Sequence, residues 1–263
     1  MANKPYSIGI SLSGGGARGI AHIGVLKALA ELGIEPEVIS GSSAGSIVGA
    51  LYAAGLNWEE ILDFVRSASL IRVLKPGMST KGLISLSALK DHLAKYISED
   101  SFEGLQKPLY IAISNLQTGQ AEIRSSGPLF EIITASSAIP LVFNPVEING
   151  QVYVDGGLLL NLPVEPLLSQ ADHVIGVNIM PQIELSRDKI KGVLSMATIA
   201  TRCFHLSVIN NTRPWLDACA IVIEPTDLHK YHIFQFNKVD DLVRIGYEAA
   251  IAQSESLKRL ISS

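Results

Sequence analysis

Three short stretches of this 263-residue chain combine residue types that can do chemistry. The first, Gly41-Ser42-Ser43-Ala44-Gly45, fits G-x-S-x-G, in which a serine sits at the tip of a tight strand-to-helix turn. Such a turn needs small residues two before and two after the serine, because neighbouring backbone comes close; Gly41 and Gly45 supply them. A helix opening just after Ser43 aims its positive end at charge developing near the hydroxyl. The second stretch is Gly14-Gly15-Gly16-Ala17-Arg18-Gly19, and it reads two ways. Gly14, Gly16 and Gly19 satisfy the G-x-G-x-x-G of a dinucleotide-binding turn. Alternatively, successive glycine N–H groups converge on an oxyanion. The acid that a dinucleotide site wants at the end of its second strand is displaced, since Glu35 and Glu37 precede that strand and Ser40-Gly41 ends it. No Gly-Lys-Ser/Thr follows, so a P-loop is excluded. With an elbow one strand later, the oxyanion reading prevails.

A serine hydroxyl needs a proton acceptor to become a nucleophile. The six histidines are poorly placed for the usual order of serine, acid, histidine. His22, His92 and His205 fall in predicted helices, His173 abuts a strand start, and His229 and His232 flank Tyr231 in a predicted loop. The third stretch, Asp155-Gly156-Gly157, offers a lone acid after the apolar strand Val152-Tyr153-Val154. It is either a surface turn, as Asp-Gly often is, or the acid of a Ser43–Asp155 dyad.

The elements that must position these residues follow from hydrophobic periodicity. Strands are expected at Tyr6–Leu12, at the elbow, at Leu109–Ser114, Gln120–Arg124, Val146–Ile148, Val152–Val154, Val174–Asn178 and Ala220–Ile223. Asn149-Gly150 is a strong hairpin signal. Helices are expected over about 17–32, from the elbow to Gly55, then 58–69, 87–97, 128–138, 187–211 and 239–261. Asn57, three before Glu60, is placed to cap the helix at 58, and 71–85 reads as loop around Pro76-Gly77. Strands alternating with helices give an α/β fold with a mostly parallel sheet between helix layers. No linker or repeat interrupts it, so one domain over 1–263 is expected, with the motifs in about 6–225 and a C-terminal helix at about 239–261.

Hydrophobic residues make up 48% of the chain, enough for a large core and against disorder. With 21 basic and 25 acidic residues and no basic block, a nucleic-acid partner is not expected. Residues 38–58 carry no charge, and Gly41, Gly45 and Gly49 are spaced as in packed membrane helices. Four serines, four glycines and no basic flank make a buried strand–helix unit the better reading. Cys203 and Cys219 read as free buried thiols. Nothing before the first strand resembles a signal segment, so a cytoplasmic location is expected.

Taken together, the chain resembles the patatin-like phospholipases, most of all the short bacterial type. The resemblance rests on the three motifs in order, on Ala135-Ser136-Ser137-Ala138-Ile139-Pro140 with Phe143 and Pro145, and on Asn161 and Pro163. It covers about residues 6–225 and implies a three-layer α/β/α sandwich. The membrane anchor and nucleotide-binding modules of the neuropathy target esterase branch are not expected. It implies Ser43 as nucleophile, Asp155 as its base, and the Gly14, Gly15, Gly16, Arg18, Gly19 loop as oxyanion hole, with Arg18 bracing or charging it. Gly41 and Gly45 shape the elbow, and Gly156 and Gly157 turn the chain after Asp155. No metal and no cofactor are implied. The implied activity is hydrolysis of a phospholipid or lysophospholipid; a regulatory protein on the same fold and a dinucleotide-dependent oxidoreductase are the alternatives. Transient contact with a membrane surface is expected at the apolar residues Trp58, Ile61, Leu62, Phe64 and Val65 and the loop that follows them.

Overall fold

The structure, a computed structural model, describes residues 4–67, 86–182 and 196–261. Eight strands form one mixed sheet: β1 (Tyr6–Leu12), β2 (Val38–Ser42), β3 (Leu109–Asn115), β4 (Ala121–Arg124), β5 (Val146–Ile148), β6 (Gln151–Asp155), β7 (Ala171–Val177) and β8 (Ile221–Ile223). The order is β5-β6-β3-β2-β1-β7-β8, with β4 also on β3. From β3 across β1 to β8 all pairings are parallel; β4 and β6 run antiparallel to β3, and β5 to β6. The hairpin between β5 and β6 forms at Asn149 and Gly150, both with positive φ as a type I′ turn requires.

Because side chains alternate across a strand, neighbours in sequence enter different cores. Ile39 joins Ile10, Ile175 and the helices α1 (Ala21–Glu31) and α2 (Ala44–Ala53) on one face. Val38 joins Leu162, Leu167 and Val174 on the other. The sheet thus lies between helix layers, as expected. Successive strands step from β1 to β2 to β3 on one side, while β7 and β8 add on the other. The carboxyl end of β1 is therefore the switch point at which open α/β sheets seat ligands. The glycine stretch lies there.

Several elements differ from the sequence expectation. The helix expected from residue 17 opens as a 3-10 turn, Gly16–Ile20, before α1 begins. The helix at α3 (Trp58–Arg66) has the expected cap, Asn57 Oδ1 accepting from Glu60 N at 3.0 Å, but stops at Arg66. Residues 68–85, including the expected loop, lie outside the described residues. Next come α4 (Ser87–Leu93), α5 (Leu129–Ser136), a short α6 (Glu165–Leu168) not anticipated, and α7 (Met196–Leu216). The expected stretch before α7, residues 187–195, lies outside the described residues, and the helix runs on to Leu216, past the expected end at 211. The last helix is two, α8 (Val239–Ile251) and α9 (Ser254–Ile261). The break falls where the Gln253 amide donates to Val222 O at 2.7 Å. Helices α1 and α8 touch backbone to backbone: a Cβ on Gly24 would meet Val243 O, and one on Gly246 would meet Ala21 O. Both cysteines are free; Cys219 is half-buried, but Cys203 is exposed on α7 rather than buried.

The uncharged stretch 38–58 is a buried strand, an elbow and a helix, and no helix among the described residues is long and apolar enough to cross a membrane. The apolar side of α3 also belongs to the core: Ile61, Leu62, Phe64 and Val65 are all buried. Trp58 is half-buried with the Lys27 ammonium 4.8 Å from its ring centre. An amphipathic stripe only requires that one face be covered, and here the protein itself covers it.

Candidate active site

Strand register brings the elbow and the acid together. Ser42 lies opposite Ala112 and Asp155 opposite Ile113, so consecutive residues of β3 receive the ends of β2 and β6. Ser43 follows at φ 51° and ψ −124°, a conformation that costs a non-glycine residue energy. The turn tolerates nothing larger on either side: a Cβ on Gly41 would lie 2.5 Å from Gly45 O, and one on Gly45 would strike Leu12 O. Ser136 holds the strained residue, accepting from Ser43 N at 2.8 Å and donating to Ala112 O at 2.7 Å. On the other side, Ser43 O accepts from Ser46 Oγ at 2.6 Å.

The Ser43 hydroxyl donates to Asp155 Oδ2 at 2.6 Å. Asp155 Oδ1 accepts from Gly157 N at 2.8 Å, and Asp155 N donates to Ala138 O at 3.0 Å. Ser43 is 5% exposed and Asp155 2%. Burial pushes the Asp155 carboxyl up to about 7, although its hydrogen bonds from Ser43 and Gly157 pull the other way. Gly156 is packed against Ala112 O, with no room for a side chain.

The glycine loop is braced from several elements. Ser13 N donates to Val177 O at 3.1 Å, Ser13 Oγ accepts from Ile179 N at 2.9 Å, and His22 Nε2 donates to Ser13 O at 2.8 Å. The six glycine-loop residues then divide by task. Gly14 N donates to Asn161 Oδ1 at 3.0 Å and is thereby occupied. Ala17 N donates to Ile233 O at 2.7 Å and Arg18 N to Gly15 O at 3.3 Å. Among the described residues the N–H groups of Gly15 and Gly16 meet no acceptor. The Arg18 side chain is buried, its Nε donating to Tyr231 O at 2.9 Å and its Nη1 reaching Met180 Sδ at 3.4 Å. Gly19 packs against the start of α2, where a Cβ would lie 2.5 Å from that of Ala44.

Above Ser43 and Asp155 is a cavity of about 20 Å³, room for about one water. Gly14, Gly15 and Gly16 line it with Ile139, Asn161, Phe204, His205 and Ile233. His205, which the sequence places in a helix with no role, is therefore a wall of the site. Among the described residues its Nε2 is buried without a partner, and burial first, then the charges of Arg18, Arg202 and His232, lowers its pKa to about 4. Among the described residues' hydrogen bonds, none joins a histidine to Ser43 or Asp155. Asn161, which the sequence leaves without a role, is itself held: Asn211 Oδ1 accepts from its N–H at 2.8 Å, and its Nδ2 donates to Thr212 Oγ1 at 3.2 Å. Asn211 and Thr212 carry no local signal, since only the packing of α7 brings them in.

Residues 10–168 match the family model of the patatin-like phospholipases. An uncharacterised NTE family protein of Mycobacterium tuberculosis is 35% identical over 176 residues, 65% of this chain and 49% of that protein. The lysophospholipase nte1 of Aspergillus fumigatus is 28% identical over 96% of this chain and 18% of its own length. The human patatin-like phospholipase domain-containing protein 6 is 27% identical over 92% of this chain and 20% of its own. The chain thus spans at most about half the length of these curated relatives. Among solved structures, ExoU of Pseudomonas aeruginosa, determined in complex with SpcU, shares the fold: TM-score 0.50, 14% identity, covering 99% of this chain and 54% of that one.

Proposed function

The chain belongs to the patatin-like phospholipase family, and on that premise we propose that it is a serine acyl hydrolase acting on phospholipid or lysophospholipid esters through an acyl-Ser43 intermediate. The observation that carries this reading is the 2.6 Å hydrogen bond from Ser43 Oγ to a buried carboxylate at a strained elbow.

In this scheme the Ser43 oxygen attacks the ester carbonyl carbon while its proton passes to Asp155 Oδ2. A carboxylate raised to about 7 is a far better proton acceptor at neutral pH than an exposed one. The tetrahedral oxyanion receives hydrogen bonds from Gly15 and Gly16 N–H, the loop donors left without partners. Gly14 acts one step removed, tied to Asn161, and Arg18 braces the loop through Tyr231 O and Met180 while its charge is felt at His205. Collapse of the intermediate breaks the ester C–O bond, and Asp155 returns its proton to the departing alkoxide. A water then takes the same route: Asp155 accepts one of its protons, the oxygen attacks the acyl carbon, and Ser43 leaves with the proton restored. The free carboxylic acid is the product. Asp155 carries the proton in each step, so the scheme calls on no metal and no cofactor.

A fluorophosphonate should label Ser43 and leave Ser43→Ala unlabelled. Wild type should release fatty acid from lysophosphatidylcholine, identified by mass spectrometry, while folded Ser43→Ala should not. Labelling that survives the substitution, or equal release by both proteins, sinks the proposal.

A further inference from the structure

A cavity that holds about one water has no room for a fatty-acyl chain. Beside it runs a groove of about 610 Å³, within the roughly 300–1,000 Å³ common for small-molecule sites. Its walls are apolar, including Leu116, Leu141, Phe143, Leu158 and Ala200. The two spaces adjoin at three places. Val154 lines the groove and its neighbour Asp155 the cavity; Pro140 lines the groove and Ile139 the cavity; Phe204 lines both. Phe204 is half-buried on α7 and packs on two sides, with Ile139 and Phe143 on one and Met180, Val208 and Ile233 on the other. At the rim, Leu141 and Leu116 are 56% and 50% exposed. Leu141 is held at φ 71°, a region that a bulky side chain enters only at a cost. Such a conformation persists only where the surrounding structure fixes it.

We propose that this groove seats the hydrocarbon tail of the acyl ester, and that Phe204 is the gate between the tail's groove and Ser43. The proposal rests on the acyl-hydrolase reading above and names where its substrate's apolar part lies. A charged head group in the groove would lose hydration with, among the described lining residues, only backbone and the Cys203 thiol to replace it, whereas a hydrocarbon tail loses nothing. Phe204 packs against both buried clusters and lines both spaces, which puts its ring at the boundary between them. Its rotation about the side-chain torsions joins them without moving the elbow, the glycine loop or Asp155. Phe204 then sets which chains reach the nucleophile.

The test compares para-nitrophenyl acetate with para-nitrophenyl laurate, and fatty-acid binding without turnover. Each methylene seated on apolar wall is worth about a fourfold gain. Ala200→Trp, which fills the groove from a half-buried position on α7, should lower the laurate-to-acetate ratio of kcat/KM about tenfold or more. Phe204→Ala should raise that ratio, and Leu141→Glu, at the rim, should lower it as Ala200→Trp does. In the Ser43→Ala background, parinaric acid fluorescence should report saturable binding that Ala200→Trp weakens about tenfold. Esters cleaved with one common chain-length profile in all variants would overturn the groove and leave the hydrolase reading standing. Absent turnover with parinaric acid binding that depends on Ala200 and Leu141 would do the reverse. Binding that ignores both substitutions, or no binding in either Ser43→Ala or Ser43→Ala/Phe204→Ala, overturns the groove outright.

Discussion

Replacing Asp155 with asparagine should stabilise the protein while it abolishes turnover. Asparagine preserves the shape and the bond from Gly157 N to Oδ1, and reverses the other: its Nδ2 donates to the Ser43 oxygen where Oδ2 accepted from the hydroxyl. What disappears is a buried charge. The Asp155 carboxyl binds its proton more tightly in the folded protein, at about 7, than at the ordinary 3.8 of the unfolded chain. Its protonated form therefore favours folding below about pH 4, and that contribution is lost as the pH rises through about 7. At about 1.4 kcal/mol per pH unit, the wild type loses at most about 4 kcal/mol across this window. The asparagine variant has no such loss. Urea unfolding of both proteins at intervals from about pH 4 to pH 8 should show a stability gap that widens up to about pH 7 and then levels. The same variant should lose about 10²–10⁴ in kcat, because an amide cannot accept the serine proton. A gap that does not change with pH, or a variant less stable than wild type at pH 8, would refute the reasoning. The base would then be charged without cost, and the raised proton affinity would be wrong.

The kcat/KM for an uncharged ester should climb with pH as Asp155 ionises, with an apparent pKa of about 7, and then hold level; a flat profile from about pH 5 to pH 9 contradicts it. Gly15→Ala should cost about 10²–10³ in kcat by turning one oxyanion donor. It should still fold by circular dichroism, since its Cβ would lie 2.8 Å from the movable end of Ile179, whereas Gly16→Ala would strike Ile233 O and should not be used. His205→Ala should cost less than about tenfold in kcat/KM, because His205 bonds to neither Ser43 nor Asp155; a loss equal to that of Ser43→Ala in a folded variant would restore a triad.

The site is legible in the sequence where its geometry is local. An elbow needs only a strand end, a serine and glycines two residues to each side, and all of that is written within five positions. Asp155 is equally readable as an acid at a strand end before two glycines. The glycine stretch is legible as a turn but not in its division of labour. Which N–H groups stay free depends on Asn161 and Ile233, residues far along the chain. Periodicity likewise places α3 but cannot say what covers its apolar side; Phe64 and Ile61 face the core rather than a lipid surface. His205 looks idle in the sequence for the same reason. A helix's sequence gives its stripe but not how the helix is rotated about its axis over a cavity. The split of the last helix is hidden because the partner of Gln253, the carbonyl of Val222, lies on a strand 31 residues earlier.

The backbone contact between α1 and α8 bears on how this protein can be cut. The three motifs all lie within residues 10–168, yet the groups that fix the glycine loop come from later: Ile179 on Ser13, Met180 and Tyr231 on Arg18, Ile233 on Ala17, and α8 behind α1. A fragment trimmed to the motifs would also lack β7, which pairs along β1 in the middle of the sheet. It would expose the β1 edge as a template for strand-to-strand aggregation while keeping both Ser43 and Asp155. Expression trials that define the unit by its motifs should therefore yield insoluble protein. Two separately expressed pieces divided between α6 and β7 should instead regain solubility only when mixed, because each completes the other's sheet.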